Sequence, residues 1–553
     1  MRNKIGKNER WVQGAEEEKE AEGQKRRKGN NEFVIFSPCT PCPLPPHSKK
    51  NGGICDVRNK IGKNERRVQR AEEAKEAKEA KENNASYSLT LSLSYSLTPL
   101  SHNNLNSMEV GIPKGTRDFL PIEVARRKWM FGIIEEVFKV YGYVPIETPV
   151  LENLSTLTGK YGEEGDRLLF KVLNNGDYLN KADDQAYQNK DSNKFTHSIA
   201  KRGMRYDLTV PFARYVVMHR NDISLPFKRY QIQPVWRADR PQKGRYQEFY
   251  QCDVDVVGSK SLSYEAELIQ IYDDVFAALG IPVIIRINHR QLLSGIAGFA
   301  GIGEQWINMT MAIDKLDKIG EEGVRKEMGE RSIPTAAQDI IFNLLKHKDI
   351  ASLRAAVTED PAVAGSLEEM ERVFNFLEGL TLKNKVQFDI TLARGLGYYT
   401  GCIFEVTAVD AEMGSLGGGG RYDNLTGVFG WPDVPGVGVS FGAERIYDVL
   451  EAKGLFPAHV QAGPKVLVAA FDDASHQYAF KCVSQIRQAG IAADLYPEPG
   501  KLKKQFKYAT DIGSTYIAIA GETEASKGTL NLKHLKSGEQ EELTIEAIIS
   551  KLR

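Results

Sequence analysis

The chain has 553 residues, enough for about three or four domains at roughly 100–200 residues each. It carries 73 Lys and Arg against 73 Asp and Glu, a formal net charge of zero, which excludes a histone-like or coat-type binder but leaves room for a local basic patch. Six cysteines are too few for a disulfide scaffold and fit a reducing, cytoplasmic compartment, and no run of 18 apolar residues offers a membrane span.

The zero charge hides an asymmetry. Residues 1–107 hold 20 Lys and Arg against 14 Asp and Glu, so the remainder is net acidic. Arg2–Glu17 (RNKIGKNERWVQGAEE) returns almost unchanged as Arg58–Glu73 (RNKIGKNERRVQRAEE). Two copies with few large apolar residues cannot bury a core between them, since arrays need about three. Glu72–Glu82 is a solvated charge run and Tyr87–Ser101 is low in complexity. Cys39-x-x-Cys42, near His47 and Cys55, has zinc-like spacing. It sits in proline-rich text without a second pair, so no metal site is expected. Acidic residues crowd the start, against a targeting peptide. The segment reads as a low-complexity extension, with the physiological start expected at Met108.

From Met108 the text becomes ordered. Pro113–Pro121 is irregular. Ile122–Tyr141 has helical apolar spacing through Trp129, Ile133, Ile134, Val137 and Phe138. Val144–Leu151 reads as an extended edge with two prolines. Asn174–Arg202 is polar and expected to be a surface loop. Two β-rich runs, Arg229–Arg237 and Glu248–Val257, flank the polar loop Ala238–Arg245, a hairpin pattern with a long tip. Residues 290–382 turn helical, as in Gln338–Leu345 and Leu367–Leu377. Val386–Arg394, Ile403–Val409 and Val437–Phe441 return to β-text, and Ala443–Ala452 is helical. Phe456–Pro464 reads as a linker. A βα rhythm follows: strands Val466–Phe471, Ala492–Tyr496, Tyr516–Ala520 and Leu530–His534, with helices His476–Ala489, Leu502–Ile512 and Ile545–Leu552.

Several pieces carry chemistry. Arg237 and Arg245 bracket the hairpin loop with Arg240 and Lys243 between them, and guanidinium forks on a hairpin suit a polyphosphate. A solvated basic hairpin is the bland alternative. Phe249 has the parity to stack on a base or to sit in the core. Leu392–Gly401 (LARGLGYYTG) puts Arg394 before two glycines and two tyrosines. Gly414–Asp423 (GSLGGGGRYD) has four consecutive glycines, so something must approach that backbone closely. No Lys-Ser/Thr follows, which excludes a P-loop.

Together these motifs resemble the histidyl-tRNA synthetases, over essentially all 446 residues from Met108. TPVLE at Pro149 looks like class II motif 1, WRADRPQKGRYQEFYQCDVDVVG like motif 2, and GVSFGAERI like motif 3. LARGLGYYTG and GGGGRYD look like the two histidine-specific signatures. The resemblance implies an α+β architecture. A class II antiparallel-sheet catalytic domain (108–289 and 383–455) would carry a helical insertion (290–382). A C-terminal α/β anticodon-binding domain (464–553) would follow.

The resemblance also implies an activity: L-histidine and ATP form histidyl-adenylate, and histidine passes to the 3′ end of tRNA(His), releasing AMP and diphosphate. By position, Arg237 and Arg394 are catalytic. Arg237, Arg245, Phe249, Arg394 and Arg445 would bind ATP, with Mg²⁺ on its phosphates. Asp207, Leu208, Thr209, Gln251, Asp255, Tyr398 and Tyr399 would bind histidine. Gln242, Lys501, Lys503, Lys504 and Lys507 would contact tRNA. A homodimer through the motif 1 region is implied. Asp207 and Asp255 stand where many bacterial members carry Glu, and Gly397 replaces a common acidic residue. Two rivals remain: a non-enzymatic paralogue, against which Arg237, Arg394 and the C-terminal domain argue, and a class II enzyme for another amino acid, against which the arginine–tyrosine signature argues.

Overall fold

The computed structural model describes residues 110–553, apart from 161, 358–360 and 394–396. The repeated N-terminal segment, its cysteine pair and Arg394 lie outside the described residues.

Helix α1 (Pro121–Val140) begins with Pro at its first position, where no N–H is needed. The Glu123 carboxylate accepts from the Leu120 N–H at 2.5 Å. Met130, Ile134 and Phe138, four apart, form its buried stripe. The polar stretch expected as a loop folds instead. It holds two short helices, Asp184–Gln188 and Ser192–Ile199, capped by Asp183 and Asp191, whose carboxylates accept from the N–H groups of Ala186 and Lys194. Capped helices of five and eight residues need no long apolar stripe, so periodicity did not announce them. Helix α2 (Thr209–Met218) and helix α3 (Ser263–Ala278) follow.

The described strands are, in chain order, β1 (Val144–Pro145), β2 (Leu151–Asn153), β3 (Lys171–Val172), β4 (Arg202–Met204), β5 (Phe227–Trp236), β6 (Glu248–Val257), β7 (Val283–His289), β8 (Lys385–Phe388), β9 (Cys402–Ala408), β10 (Gly417–Arg421), β11 (Gly436–Gly442), β12 (Val466–Ala470), β13 (Ala493–Leu495), β14 (Tyr516–Ala520), β15 (Thr529–His534) and β16 (Gln540–Thr544). An eight-stranded sheet has the order β1-β5-β6-β11-β10-β9-β7-β8. Its interior pairs are antiparallel, and only the outer pairs β1–β5 and β7–β8 are parallel.

The two faces of this sheet differ. Side chains alternate along a strand, so on β6 Cys252, Val254 and Val256 face the apolar core with α1 and α3. Gln251, Asp253 and Asp255 face the other way and are still buried. That polar yet covered face is where a site can be built. The helices between β7 and β8 share the sheet's core rather than making their own: Leu292, Met309, Ile341 and Met370 belong to the same apolar cluster as Phe138 and Val254. The first of these is α4 (Arg290–Phe299).

The β-text expected to run to Arg394 stops at Phe388. The Asp389 side chain then accepts from Thr391 N at 3.0 Å and Thr391 Oγ1 at 2.6 Å, a local turn that ends the strand. The four glycines are a strand, β10, between β9 and β11. What approaches them is the protein itself. A Cβ on Gly419 would lie 2.2 Å from the Gly438 carbonyl oxygen, and one on Gly417 would lie 2.8 Å from the Tyr272 ring.

The C-terminal sheet has the order β13-β12-β14-β15-β16, parallel at β13–β12–β14 and antiparallel beyond. Its last hairpin strand, β16, is mostly exposed and charged (QEELT), which is why it lacked a sequence signal. Helix α5 (Ala443–Ala452) ends the first sheet's domain, and α6 (Leu502–Asp511) lies in the C-terminal one.

Candidate active site

Two cavities open on the polar face of the large sheet. The larger, about 240 Å³, is lined by Arg237, Arg245, Tyr246, Phe249, Glu444 and Arg445 among others. The smaller, about 150 Å³, is lined by Asp207, Thr209, Asp253, Asp255, Tyr398, Tyr399 and Tyr422 among others. Arg237, Gln251, Gly418 and Ser440 line both. The two therefore adjoin across a shared wall, with Arg237 at the junction.

Strand pairing sets this arrangement. β6 supplies Phe249, Gln251, Asp253 and Asp255 on one face at alternate positions, and β11 places Gly438 opposite Asp255 and Ser440 opposite Asp253. At the end of β5, Arg237 is aimed by its backbone neighbours. Its Nε donates to the Tyr206 carbonyl at 3.0 Å and its Nη2 to Gln251 Oε1 at 3.3 Å. Its guanidinium lies over the rings of Tyr206 (4.3 Å) and Phe249 (5.1 Å). Among the described residues no carboxylate pairs with this cation at the junction.

In the larger cavity, Arg445 from α5 donates to the carbonyls of Gly244 (3.0 Å) and Ser415 (2.7 Å), tying the hairpin tip to the loop before β10. The tip is tight: Gln242 and Arg245 exchange two backbone bonds, and Gly244 takes a φ of +68° that other residues resist. Among the described residues the carboxylate near Arg245 is that of Asp239, 3.9 Å away. Glu444 is held by Arg127 through a two-pronged pair (2.7 and 3.0 Å) and by Arg117.

The smaller cavity is rich in acid. Arg229, fully buried, pairs with Asp255 at 2.8 Å, and Tyr422 donates to Asp255 Oδ1 at 2.5 Å. Gln251 Nε2 donates to Ser440 Oγ at 2.8 Å and to Asp253 Oδ1 at 3.3 Å. Loss of water raises the carboxyl pKa of both Asp253 and Asp255, while Arg229 pulls each back down. Burial, then the nearby Asp255, Asp253 and Asp207, raises the Tyr399 phenol, which stays protonated and able to donate. Asp207 accepts from Val210 N at 3.1 Å, and Tyr398 donates to it at 3.4 Å.

Of the residues singled out in the sequence, Asp207, Thr209, Arg237, Gln251, Asp255, Tyr398 and Tyr399 meet in the smaller cavity, and Arg237, Arg245, Phe249, Gln251 and Arg445 meet in the larger. Leu208 is not on either wall. It is fully buried, and its carbonyl accepts from Arg229 at 3.5 Å. Gln242 is exposed at the hairpin tip. Lys501, Lys503, Lys504 and Lys507 lie on and before α6, in the C-terminal domain. Lys504 stands 3.7 Å from Glu498, and Lys507 pairs with Asp511. Sequence reasoning missed Arg229, Asp253, Tyr422, Ser440 and Glu444. Asp253 had a signal: it shares parity with Gln251 and Asp255. Arg229 had none, since a buried cation is recognisable only by its partner. Among the described residues no cluster of three His, Cys, Asp or Glu has metal-holding geometry.

Comparison with known proteins gives the family. The family model described as histidyl-tRNA synthetase matches residues 177–446, and the anticodon binding domain model matches 465–553. The histidine–tRNA ligase of Christiangramia forsetii is 53% identical over 450 residues, covering 80% of this chain and 99% of that one. That of Phocaeicola vulgatus is 50% identical over 445 residues, covering 80% and 98%. The crystal structure of histidyl-tRNA synthetase from a Nostoc species superimposes with a TM-score of 0.68 at 30% identity, covering 80% of this chain and 99% of that chain. The chain belongs to the histidyl-tRNA synthetase family.

Proposed function

We propose that the two adjoining cavities are the two halves of an activation site, histidine in the smaller and ATP in the larger, with Arg237 at the reacting phosphorus. The chain charges tRNA with histidine, the activity of its family, and the family's chemistry uses ATP. A histidine carboxylate oxygen attacks the α-phosphorus, diphosphate leaves, and histidyl-adenylate remains. The tRNA 3′-terminal hydroxyl then attacks the carbonyl carbon and AMP leaves. Charge grows on the phosphoryl oxygens, so a fixed cation facing them is the main device. Arg237 has this position, and Arg394 is proposed as its counterpart from the other signature.

Arg245 and Arg445 hold the outer phosphates and adenine side, with Phe249 beneath the base. Mg²⁺ enters with ATP as part of that substrate. Asp207, Thr209 and Gln251 hold the α-ammonium, and Asp255 and Tyr399 the ring nitrogens, with Tyr398 alongside; Leu208 acts from behind the wall, its carbonyl accepting from Arg229. A pocket that pairs both ring nitrogens rejects analogues that leave its buried groups unpaired. Gln242 reaches the acceptor end of tRNA(His), and Lys501, Lys503, Lys504 and Lys507 follow the RNA backbone. Residues 108–289 and 383–455 act as the catalytic domain, 290–382 as its insertion and 464–553 as the anticodon-binding domain. The enzyme works in the cytoplasm as a homodimer joined through the motif 1 region. No described helix is long and apolar enough to cross a membrane.

The observation that carries this reading is the shared wall of Arg237, Gln251, Gly418 and Ser440 between an acid-lined and an arginine-lined cavity. Its test is ATP–diphosphate exchange. Exchange should require histidine. Folded protein that exchanges with no amino acid, or with a different one, would overturn it.

A further inference from the structure

The smaller cavity contains a carboxylate that no assignment above uses. Asp253 is only 2% exposed and lines that cavity. Among the described residues it has no ion pair within 4 Å, because the buried Arg229 is committed to Asp255 at 2.8 Å. Its hydrogen bonds come from neutral groups: Gln251 Nε2 reaches one oxygen at 3.3 Å, and Ser440 also hydrogen-bonds it. The charged and titratable groups that face it are Asp255 on its own strand, Arg229 on β5, Asp207 before α2, Tyr272 on α3 and Tyr399 before β9. Arg205, before α2, also interacts with it through space, but among the described residues neither arginine forms an ion pair with Asp253. A buried carboxylate held by neutral donors alone is stabilised further by a proton or a charged donor brought to it.

The order along β6 says what that is. Gln251 touches Arg237, so that end lies by the reacting carboxylate of the bound amino acid. Asp253 and Asp255 lie successively farther from Arg237 on the same face, so they flank whatever side chain extends away from the carboxylate. A neutral imidazole has one donor and one acceptor nitrogen, while two ionised carboxylates can only accept. The match is completed by one further proton, held between the ring and an acid.

We infer that Asp253 is a specificity-determining residue that joins Asp255 and Tyr399 on the ring nitrogens of the bound histidine, holding one of them through a shared proton. The inference rests on the proposed placement of histidine in the smaller cavity. It makes the pocket selective for a ring that can carry that proton. Burial, which already raises the Asp253 carboxyl pKa, favours keeping it.

The test compares wild type with Asp253→Asn in histidine-dependent ATP–diphosphate exchange across pH. The variant should raise the histidine KM about ten- to a hundred-fold, the cost of a charge-assisted hydrogen bond, with the ATP KM little changed. The wild-type loss of histidine affinity at alkaline pH should flatten in the variant. A purely structural role would instead raise both KM values and leave the pH profile in place. Equal histidine KM and equal pH profile in the two proteins would overturn the inference. Should Asp253→Asn not fold, titration of histidine into wild type at pH 8, in two buffers of different ionisation enthalpy, decides it. Uptake approaching one proton is expected, and buffer-independent heats would overturn it. Wild type that fails to use histidine at all would instead sink the parent reading.

Discussion

Gly438 faces Asp255 across the β6–β11 pair so closely that a methyl group on Gly438 would fall 1.8 Å from Asp255 Oδ1. The glycine in the third motif is therefore space reserved for an acid in the second. Gly438→Ala should push Asp255 away from Arg229 and Tyr422. Overpacking of this kind costs about 1–3 kcal/mol. The expected result is a lowered thermal midpoint together with a histidine KM raised at least about ten-fold, measured by exchange kinetics. An unchanged KM would show that Asp255 has slack.

Arg237 faces the junction of both cavities with no carboxylate partner among the described residues. Arg237→Lys removes the fork that spans Tyr206 O and Gln251. The activation rate should fall by about 10²–10³ in kcat, the usual cost of losing one preorganised donor at a developing anion, with the thermal midpoint nearly unchanged. Single-turnover adenylate formation gives the measurement.

The pair Arg421–Glu265 is buried and two-pronged, at 2.6 and 2.8 Å. Arg421 also holds Asp423 at 3.2 Å, which accepts from Thr400 Oγ1 at 2.9 Å, one residue from Tyr399. Arg421→Met strands Glu265 without a cation, and breaking such a pair costs about 3–5 kcal/mol. The double change Arg421→Met with Glu265→Leu should recover much of the stability. Urea midpoints of the three proteins test this.

Stability should also depend on pH through Asp253. Burial raises its folded-state pKa above the unfolded value, so the folded protein binds more protons than the unfolded one. Stability is then greatest below the ordinary aspartate value of about 4 as far as this group is concerned, and declines as pH rises from there through the folded pKa. Asp253→Asn should flatten that decline in urea midpoints taken from acid to neutral pH. An identical slope would locate the effect elsewhere.

Leu151 and Met218 are 43% and 67% exposed, beside the Glu152–Arg214 pair, where Arg214 also reaches Met218 Sδ at 3.2 Å. Apolar side chains exposed next to a well-ordered ion pair suit a partner surface. The proposed homodimer uses this region, so Leu151→Asp with Met218→Asp should shift the mass in light scattering from two copies toward one. An unshifted mass would place the dimer contact on another surface.

Much of this was legible in the sequence, and the reason is local. Helix Ala443–Ala452 and the strands of β5, β6 and β12 follow from apolar period and turn residues, which neighbours along the chain decide. The parity of Gln251, Asp253 and Asp255 on β6 was likewise present in the sequence, though Asp253 was not singled out from it. Other features depend on distant chain segments. Arg229 meaningfully pairs only because β5 registers beside β6. Gly438 matters only because Asp255 lies opposite. The four glycines of β10 form a strand because flanking strands satisfy their backbone groups. Asp253 looked like one more alternating acid. Its lack of an ion pair among the described residues became visible only when folding gave Arg229 to Asp255, because which carboxylate receives a buried charge is settled by three-dimensional distance and not by order along the chain.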